Sequence, residues 1–83
     1  VTGWLRAAAL AHAHGIEMSS HLFPEFSLHL LGVTPTCHWL EFMDWAAPLL
    51  REPVQVKDGV ARIPDRPGAG IEWDEEAVAR YSA

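Results

Sequence analysis

Two residues, His21 and Glu41, have the types and positions that proton transfer requires. His21 follows residues 16–19, a short stretch that predicts a strand, and Glu41 lies near the end of a second predicted strand at residues 37–42. Polar residues at the carboxyl ends of neighbouring parallel strands lie at the same end of the sheet, which we call the mouth. A histidine and a carboxylate that meet there could act as acid and base. A second interpretation is open, in which His21 caps the following helix and Glu41 pairs with a Lys or Arg.

The elements that would position these side chains follow the order helix, strand, helix, strand, which is typical of parallel β/α units. The alanine-rich residues 2–14 predict the first helix, with Thr2 as its cap and Gly15 as its left-handed stop. Two parallel strands do not make a stable sheet alone, because such sheets are buried on both faces. We therefore expect further strands upstream or on another chain, and we interpret the sequence as part of a larger fold.

The second predicted helix begins at Pro24, which suits a first helical turn, and ends at Gly32. Its buried side is expected to include Phe23, Phe26 and Leu30.

After residue 50 the sequence no longer predicts β/α units. Residues 54–63 alternate around Asp58 and Gly59, which is a strong signal for a hairpin. Asp74 could cap a final helix over residues 75–81. We divide the chain into residues 1–50, the β/α units, and residues 51–83, a segment of hairpin, loop and terminal helix.

Composition narrows the classes of function. Apolar residues make up 49% of the 83 residues and include four Trp, so much of this surface should meet protein outside the chain. A net charge of −5 argues against nucleic-acid binding, because phosphate contacts need clustered Lys and Arg. No apolar run approaches the roughly 18 residues of a membrane span. A single cysteine, Cys37, favours a reducing, cytoplasmic compartment.

Several segments together resemble the last two barrel strands of the mandelate racemase and muconate lactonizing enzyme family, within the enolase superfamily. They are residues 18–23, Glu25, residues 29–31, residues 34–36 and residues 38–41. Residues 63–73 are similar to the segment that closes these chains. The resemblance implies the carboxy-terminal part of a TIM-type (β/α) barrel, in which residues 51–83 return to an amino-terminal capping domain. His29 and His38 match family positions that we interpret as structural.

The resemblance also implies a mechanism. The family abstracts the proton α to a carboxylate, and Mg²⁺ with hydrogen-bond donors stabilises the enediolate. His21 matches the general base on one face of the substrate, and Glu41 matches the acid that, when protonated, hydrogen-bonds the substrate carboxylate. Ser19 and Ser20 lie at the mouth as candidate substrate-binding residues. The implied partners are a small carboxylic acid and further copies of the protein.

Other parts of the family's site have no match here. The aspartate partner of the histidine, the opposing lysine and the acidic metal ligands belong to earlier strands, so no metal ligand is expected in residues 1–83. His21 should then lack a partner that fixes its tautomer, and these residues alone should be inactive. Pro24 and Phe42 depart from mandelate racemase, so the substrate is not implied.

Three functional classes stay open. The preferred one is a Mg²⁺-dependent racemase of α-hydroxy acids, with a sugar-acid dehydratase as its alternative. The second is an inactive fragment that associates with itself through exposed apolar faces. The third is an independent binding module built from part of a barrel.

Overall fold

The computed structural model describes residues 1–83, which form three α-helices, one 3₁₀ turn and one hairpin. In chain order they are helix α1 (Thr2–Ala13), helix α2 (Pro24–Gly32), the 3₁₀ turn (Ala47–Leu49), strand β1 (Val56–Lys57), strand β2 (Val60–Ala61) and helix α3 (Glu75–Tyr81). None of these helices is both long and apolar enough to cross a membrane.

Helix α1 forms where its alanines predict it, but the prediction for its amino-terminal cap is wrong. Val1 occupies the cap position and no side chain caps the helix. Thr2 is already helical, and a side chain inside the first turn no longer stands before the free amides that a cap accepts from. Gly15 follows the helix at φ +63°, the left-handed geometry that was predicted to end it.

The two predicted strands pair in parallel over a shorter length than expected. The Met18 amide donates to the Thr36 carbonyl at 2.9 Å, and the His38 amide donates to the Met18 carbonyl at 2.8 Å. These bonds define one parallel bridge, between Met18 and Cys37. A regular ladder would next place the Ser20 amide on the His38 carbonyl, but it donates to Trp39 at 2.9 Å. The second segment therefore contains one extra residue, as in a β-bulge, and regular pairing stops there.

Helix α2 has the predicted ends, with Pro24 in its first turn and Gly32 as its last residue. The predicted buried side is wrong: Phe23 and Phe26 are 69% and 52% exposed, and Leu30 is only half-buried. Phe23 precedes the helix in a left-handed conformation, so the helical period does not extend to it. The buried apolar side chains of the helix are instead Pro24, Leu28 and Leu31.

The predicted hairpin is present around Asp58 and Gly59, whose φ values of +52° and +75° fit a type I′ turn. Val56 pairs with Ala61 and Lys57 with Val60, and the Arg62 amide extends the pairing by donating to the Gln55 carbonyl at 2.9 Å.

The last part of the chain folds back on residues 49–51. Leu50 and Trp73 form an antiparallel bridge, and the Asp74 amide donates to the Leu49 carbonyl at 2.9 Å. Asp74 caps α3 as predicted, since its Oδ1 accepts from the amides of Glu76 and Ala77 at 3.0 and 3.1 Å.

Residues 1–83 enclose little core. Only 11 of the 83 residues are buried, and the Cα radius of gyration is 14.5 Å, against about 12 Å for a compact domain of this length. Large apolar side chains such as Leu10, Trp39, Trp45 and Val60 are exposed. The expectation that much apolar surface is left uncovered within these residues is confirmed.

Candidate active site

His21 and Glu41 lie side by side, past the ends of the two paired segments. His21 Nδ1 is 3.0 Å from Glu41 Oε2. The same carboxylate oxygen accepts the Leu22 amide at 2.6 Å. The His21 side chain is 82% exposed and that of Glu41 is 39% exposed, so both can be reached from outside. Within residues 1–83, Glu41 pairs with His21 and not with a Lys or Arg.

The hydroxyl groups of Ser19 and Ser20 bind residues 39–41 at the point where regular pairing of the two strand segments ends. The Glu41 amide donates to Ser20 Oγ at 2.9 Å, and the Trp39 amide donates to Ser19 Oγ at 3.2 Å. Because a hydroxyl accepts and donates at once, each serine keeps a proton that could be donated to a ligand. Ser19 is exposed and Ser20 is buried, so Ser19 is the more accessible of the two.

A left-handed turn connects His21 to α2. Leu22 and Phe23 have φ values of +57° and +45°. This conformation costs a residue with a Cβ roughly 1–2 kcal/mol. Phe23, not His21, occupies the cap position of α2, and no side chain caps the helix. The interpretation of His21 as a helix cap is therefore wrong, and its ring is left for the contact with Glu41.

This geometry assigns different tasks to the two nitrogens of His21. With Nδ1 3.0 Å from Glu41 Oε2, a proton held on Nδ1 would leave the Nε2 lone pair free to act as a base. The aspartate partner of the family is absent as expected, and Glu41 is the acidic side chain that lies beside His21. Glu41 Oε1 takes part in no hydrogen bond within the chain. That oxygen is left to contact a ligand.

The residues present do not form a metal site by themselves. Residues 1–83 contain no group of three or more His, Cys, Asp or Glu side chains that could hold a metal ion. A Mg²⁺ ion at this mouth would need ligands from outside these residues.

His29 and His38 lie elsewhere and contact other parts of the chain. His38 Nδ1 is 3.4 Å from Glu17 Oε2, near the opposite end of the paired segments. His29 Nε2 donates to the Ala69 carbonyl at 2.9 Å and so connects α2 to the loop before α3. A cavity of about 220 Å³ beside that loop is lined by Glu25, Arg62 and Arg66, and neither His21 nor Glu41 reaches it.

Two features of the site have no signal in the sequence. One is the Leu22 amide, which shares the Glu41 oxygen with His21. The other is Ser27, whose hydroxyl donates to the Leu22 carbonyl at 2.9 Å. A left-handed turn is usually foreseen from Gly or Asn, and here it is built from Leu and Phe.

Comparison with known proteins gives a family match over nearly the whole chain. The family described as enolase C-terminal domain-like matches residues 1–77. L-talarate/galactarate dehydratase from Salmonella typhimurium LT2 is 35% identical over 77 residues, which are 93% of this chain and 19% of that protein.

Two solved structures are similar to this chain in both fold and sequence. An enolase from the alpha proteobacterium BAL199, crystallised with Mg, superposes with a TM-score of 0.91 at 52% identity. An enolase from Bradyrhizobium, complexed with magnesium and mandelic acid, has a TM-score of 0.86 and also 52% identity. Each alignment covers 96% of this chain and 22% of the other. The chain thus spans about a fifth of the length of these relatives.

Proposed function

This chain belongs to the enolase C-terminal domain-like family, and from that premise we propose that His21 and Glu41 serve α-proton abstraction from a small carboxylic acid. The observation that carries the proposal is the shared contact at Glu41 Oε2, where His21 Nδ1 and the Leu22 amide converge at 3.0 and 2.6 Å. This contact turns His21 Nε2 outward as a base and leaves Glu41 Oε1 free. Structural neighbours crystallised with Mg, one of them with mandelic acid, support a reaction of this class.

In the proposed reaction, His21 Nε2 takes the proton from the carbon α to the substrate carboxylate. The electron pair of the broken C–H bond moves into the carboxylate and forms an enediolate. Glu41, protonated on Oε1, donates a hydrogen bond to the developing charge, while its Oε2 accepts from His21 Nδ1 and Leu22. One side chain thereby orients the base and stabilises the intermediate. Ser19, with its exposed hydroxyl, is the candidate for a further contact with the substrate.

The fate of the intermediate decides between two activities. Return of a proton to the opposite face gives racemisation of an α-hydroxy acid, as in mandelate racemase, and is the preferred activity. The alternative is dehydration of a sugar acid, in which a neighbouring hydroxyl takes a proton and leaves as water. The similarity to a talarate/galactarate dehydratase favours keeping this alternative. His21 could serve either outcome. In dehydration the imidazolium formed in the first step can protonate the leaving hydroxyl, whereas in racemisation the returning proton comes from the opposing base outside these residues.

We also propose how the chain contributes to a longer protein. Residues 1–50 would supply the last β/α units of a barrel, and residues 51–83 would return to a capping domain. Contacts of residues 72–74 with residues 49–51 would connect the two parts. A cytoplasmic, homo-oligomeric enzyme stays a prediction. Residues 1–83 alone are expected to show no activity, because the opposing base and the metal ligands would lie elsewhere.

The test is α-proton exchange by the full-length polypeptide that carries these residues. Wild-type protein with Mg²⁺ in D₂O should exchange the α-proton of mandelate or galactarate, followed by proton NMR, and His21→Asn should abolish the exchange. His38→Asn is the matched control, because His38 is also exposed and paired with a carboxylate, at 3.4 Å from Glu17. Retained exchange in His21→Asn would refute the proposed base. Loss of the substrate hydroxyl in wild type would identify the dehydratase.

A further inference from the structure

We propose that Ser27 is a positioning residue for the active site, acting through the left-handed turn between His21 and α2. The inference rests on the proposed role of Glu41. Ser27 lies on α2 and forms no hydrogen bond with His21 or Glu41. Its hydroxyl donates to the carbonyl of Leu22, and the amide of Leu22 donates to Glu41, so any effect of Ser27 on the site passes through Leu22.

Helix α2 holds the turn at both of its residues. Ser27 Oγ donates to the Leu22 carbonyl at 2.9 Å, and the Ser27 amide donates to the Phe23 carbonyl, also at 2.9 Å. The Phe26 amide adds a bond to the Phe23 carbonyl at 3.0 Å. Ser27 is only 8% exposed, so water has little access to replace its hydroxyl. Of these bonds, only that from the Ser27 hydroxyl reaches Leu22.

The turn needs such a restraint because its backbone is strained. Leu22 and Phe23 are both left-handed, a conformation that side chains with a Cβ adopt only when surrounding contacts impose it. Leu22 is held on one side by its amide on Glu41 Oε2 and on the other by its carbonyl on Ser27. Without the Ser27 hydroxyl, we expect Leu22 to relax toward negative φ and its amide to leave the carboxylate. Glu41 Oε2 would then lose its hydrogen bond from Leu22 and would be less firmly held beside His21.

The test is Ser27→Ala in the full-length polypeptide, with two readouts. The kcat for α-proton exchange of mandelate or galactarate should fall about tenfold while KM changes little. The reason is that Glu41, which acts on the intermediate, would lose its hydrogen bond from the Leu22 amide. The Leu22 amide proton should lie far downfield in wild type because of its 2.6 Å bond to a carboxyl oxygen, and should move upfield in the variant. Selective ¹⁵N-leucine labelling would resolve it.

Two further variants control the experiment. Ser82→Ala removes a hydroxyl that donates to the Val78 carbonyl at 2.7 Å at the exposed end of α3, and should change neither readout. Ser27→Thr keeps the hydroxyl and should restore both kcat and the Leu22 resonance. If Ser27→Ala does not fold, Ser27→Cys offers a weaker donor of similar size and should give intermediate values.

The outcomes separate this inference from the proposed function. If Ser27→Ala lowers thermal stability but leaves kcat and the Leu22 resonance unchanged, Ser27 has a purely structural role and the inference is overturned. If His21→Asn keeps full exchange, the proposed function fails, while the Leu22 resonance still reports whether Ser27 holds the turn. A shifted resonance with wild-type kcat would show that the turn does not position the reacting groups, which also overturns the inference.

Discussion

Replacing Glu41 by Gln separates the two tasks that the structure assigns to one carboxyl group. Of the two neighbours of Oε2, the Leu22 amide donates at 2.6 Å, and His21 Nδ1, at 3.0 Å, is a second donor when it carries the ring proton. The amide oxygen of Gln must therefore take the Oε2 position, since an NH₂ group there would face two donors. The NH₂ group then points outward, where Oε1 stood. We expect the turn to keep its shape while the outward group changes from an acid to an amide.

The expected magnitudes follow from the contacts that each variant keeps. Glu41→Ala loses the Leu22 hydrogen bond, worth about 1 kcal/mol net, and the exposed contact with His21, worth about 0–1 kcal/mol, so it should destabilise the fold by about 1–2 kcal/mol. The 39% exposure of Glu41 favours the lower end, because water can replace part of what is lost. Glu41→Gln keeps both contacts and should cost less than about 1 kcal/mol. Its exchange rate should nevertheless fall, by up to the roughly 10²–10³-fold that loss of one donor to a developing oxyanion costs, because an amide N–H is a much weaker acid than a carboxylic O–H.

The assay compares thermal melting with α-proton exchange for both variants in the full-length protein with Mg²⁺. Glu72→Gln is the matched control, because it changes a carboxylate that pairs with Arg51 at 2.9 Å and is 61% exposed. Exposed pairs of this kind contribute about 0–1 kcal/mol, and no change in exchange is expected. The orientation argument is refuted if Glu41→Gln melts as low as Glu41→Ala. Wild-type exchange in Glu41→Gln would refute the role given to Oε1.

Two further predictions concern stability. Gly70→Ala should lower the free energy of unfolding by about 2–4 kcal/mol. Its φ of +70° adds left-handed strain, and the new Cβ would lie only 2.9 Å from Pro64 Cγ, which adds overpacking. Gly68→Ala, at φ +64° with open space, should show only the strain of about 1–2 kcal/mol, so equal melting shifts would contradict the overpacking. Asp74→Ala should cost about 1 kcal/mol, because two amides of α3 lose their acceptor. Asp74→Asn is its control and should melt close to wild type.

The parts of the fold that the sequence predicts well are those with local determinants. Helix α2 begins at Pro24 and ends at Gly32, and α3 begins after the capping Asp74, because each signal acts within one turn of its own residue. The hairpin follows from Asp58 and Gly59 for the same reason. Its strands are shorter than the alternating pattern indicates, since regular pairing ends within a few residues of the turn.

The parts that the sequence predicts poorly depend on partners distant along the chain. The strand predicted at residues 37–42 pairs regularly only around Cys37, because the extra residue after His38 displaces the ladder. The burial of Phe26 was overestimated because helical periodicity does not say which side of α2 meets the rest of the protein.

The proximity of His21 and Glu41 follows from topology, because neighbouring parallel segments end at one mouth. Their direct contact does not follow from topology. It accompanies the left-handed conformation of Leu22, which leucine does not prefer and whose amide and carbonyl are bonded to Glu41 and Ser27. The sequence also did not predict that the Ser19 and Ser20 hydroxyls accept hydrogen bonds from backbone amides. Spacing alone does not distinguish this role from contact with a ligand.

The extra residue between His38 and Glu41 makes this segment sensitive to insertions and deletions. Along extended chain, side chains alternate between faces, so a change of one residue in length turns every later side chain to the other face. Deletion of Leu40 would bring Phe42 to the position that Glu41 now occupies beside His21. Substitutions at Leu40 leave this count unchanged. For variants of the segment, the number of residues between His38 and Glu41 is therefore a stricter requirement than the identity of the residues between them.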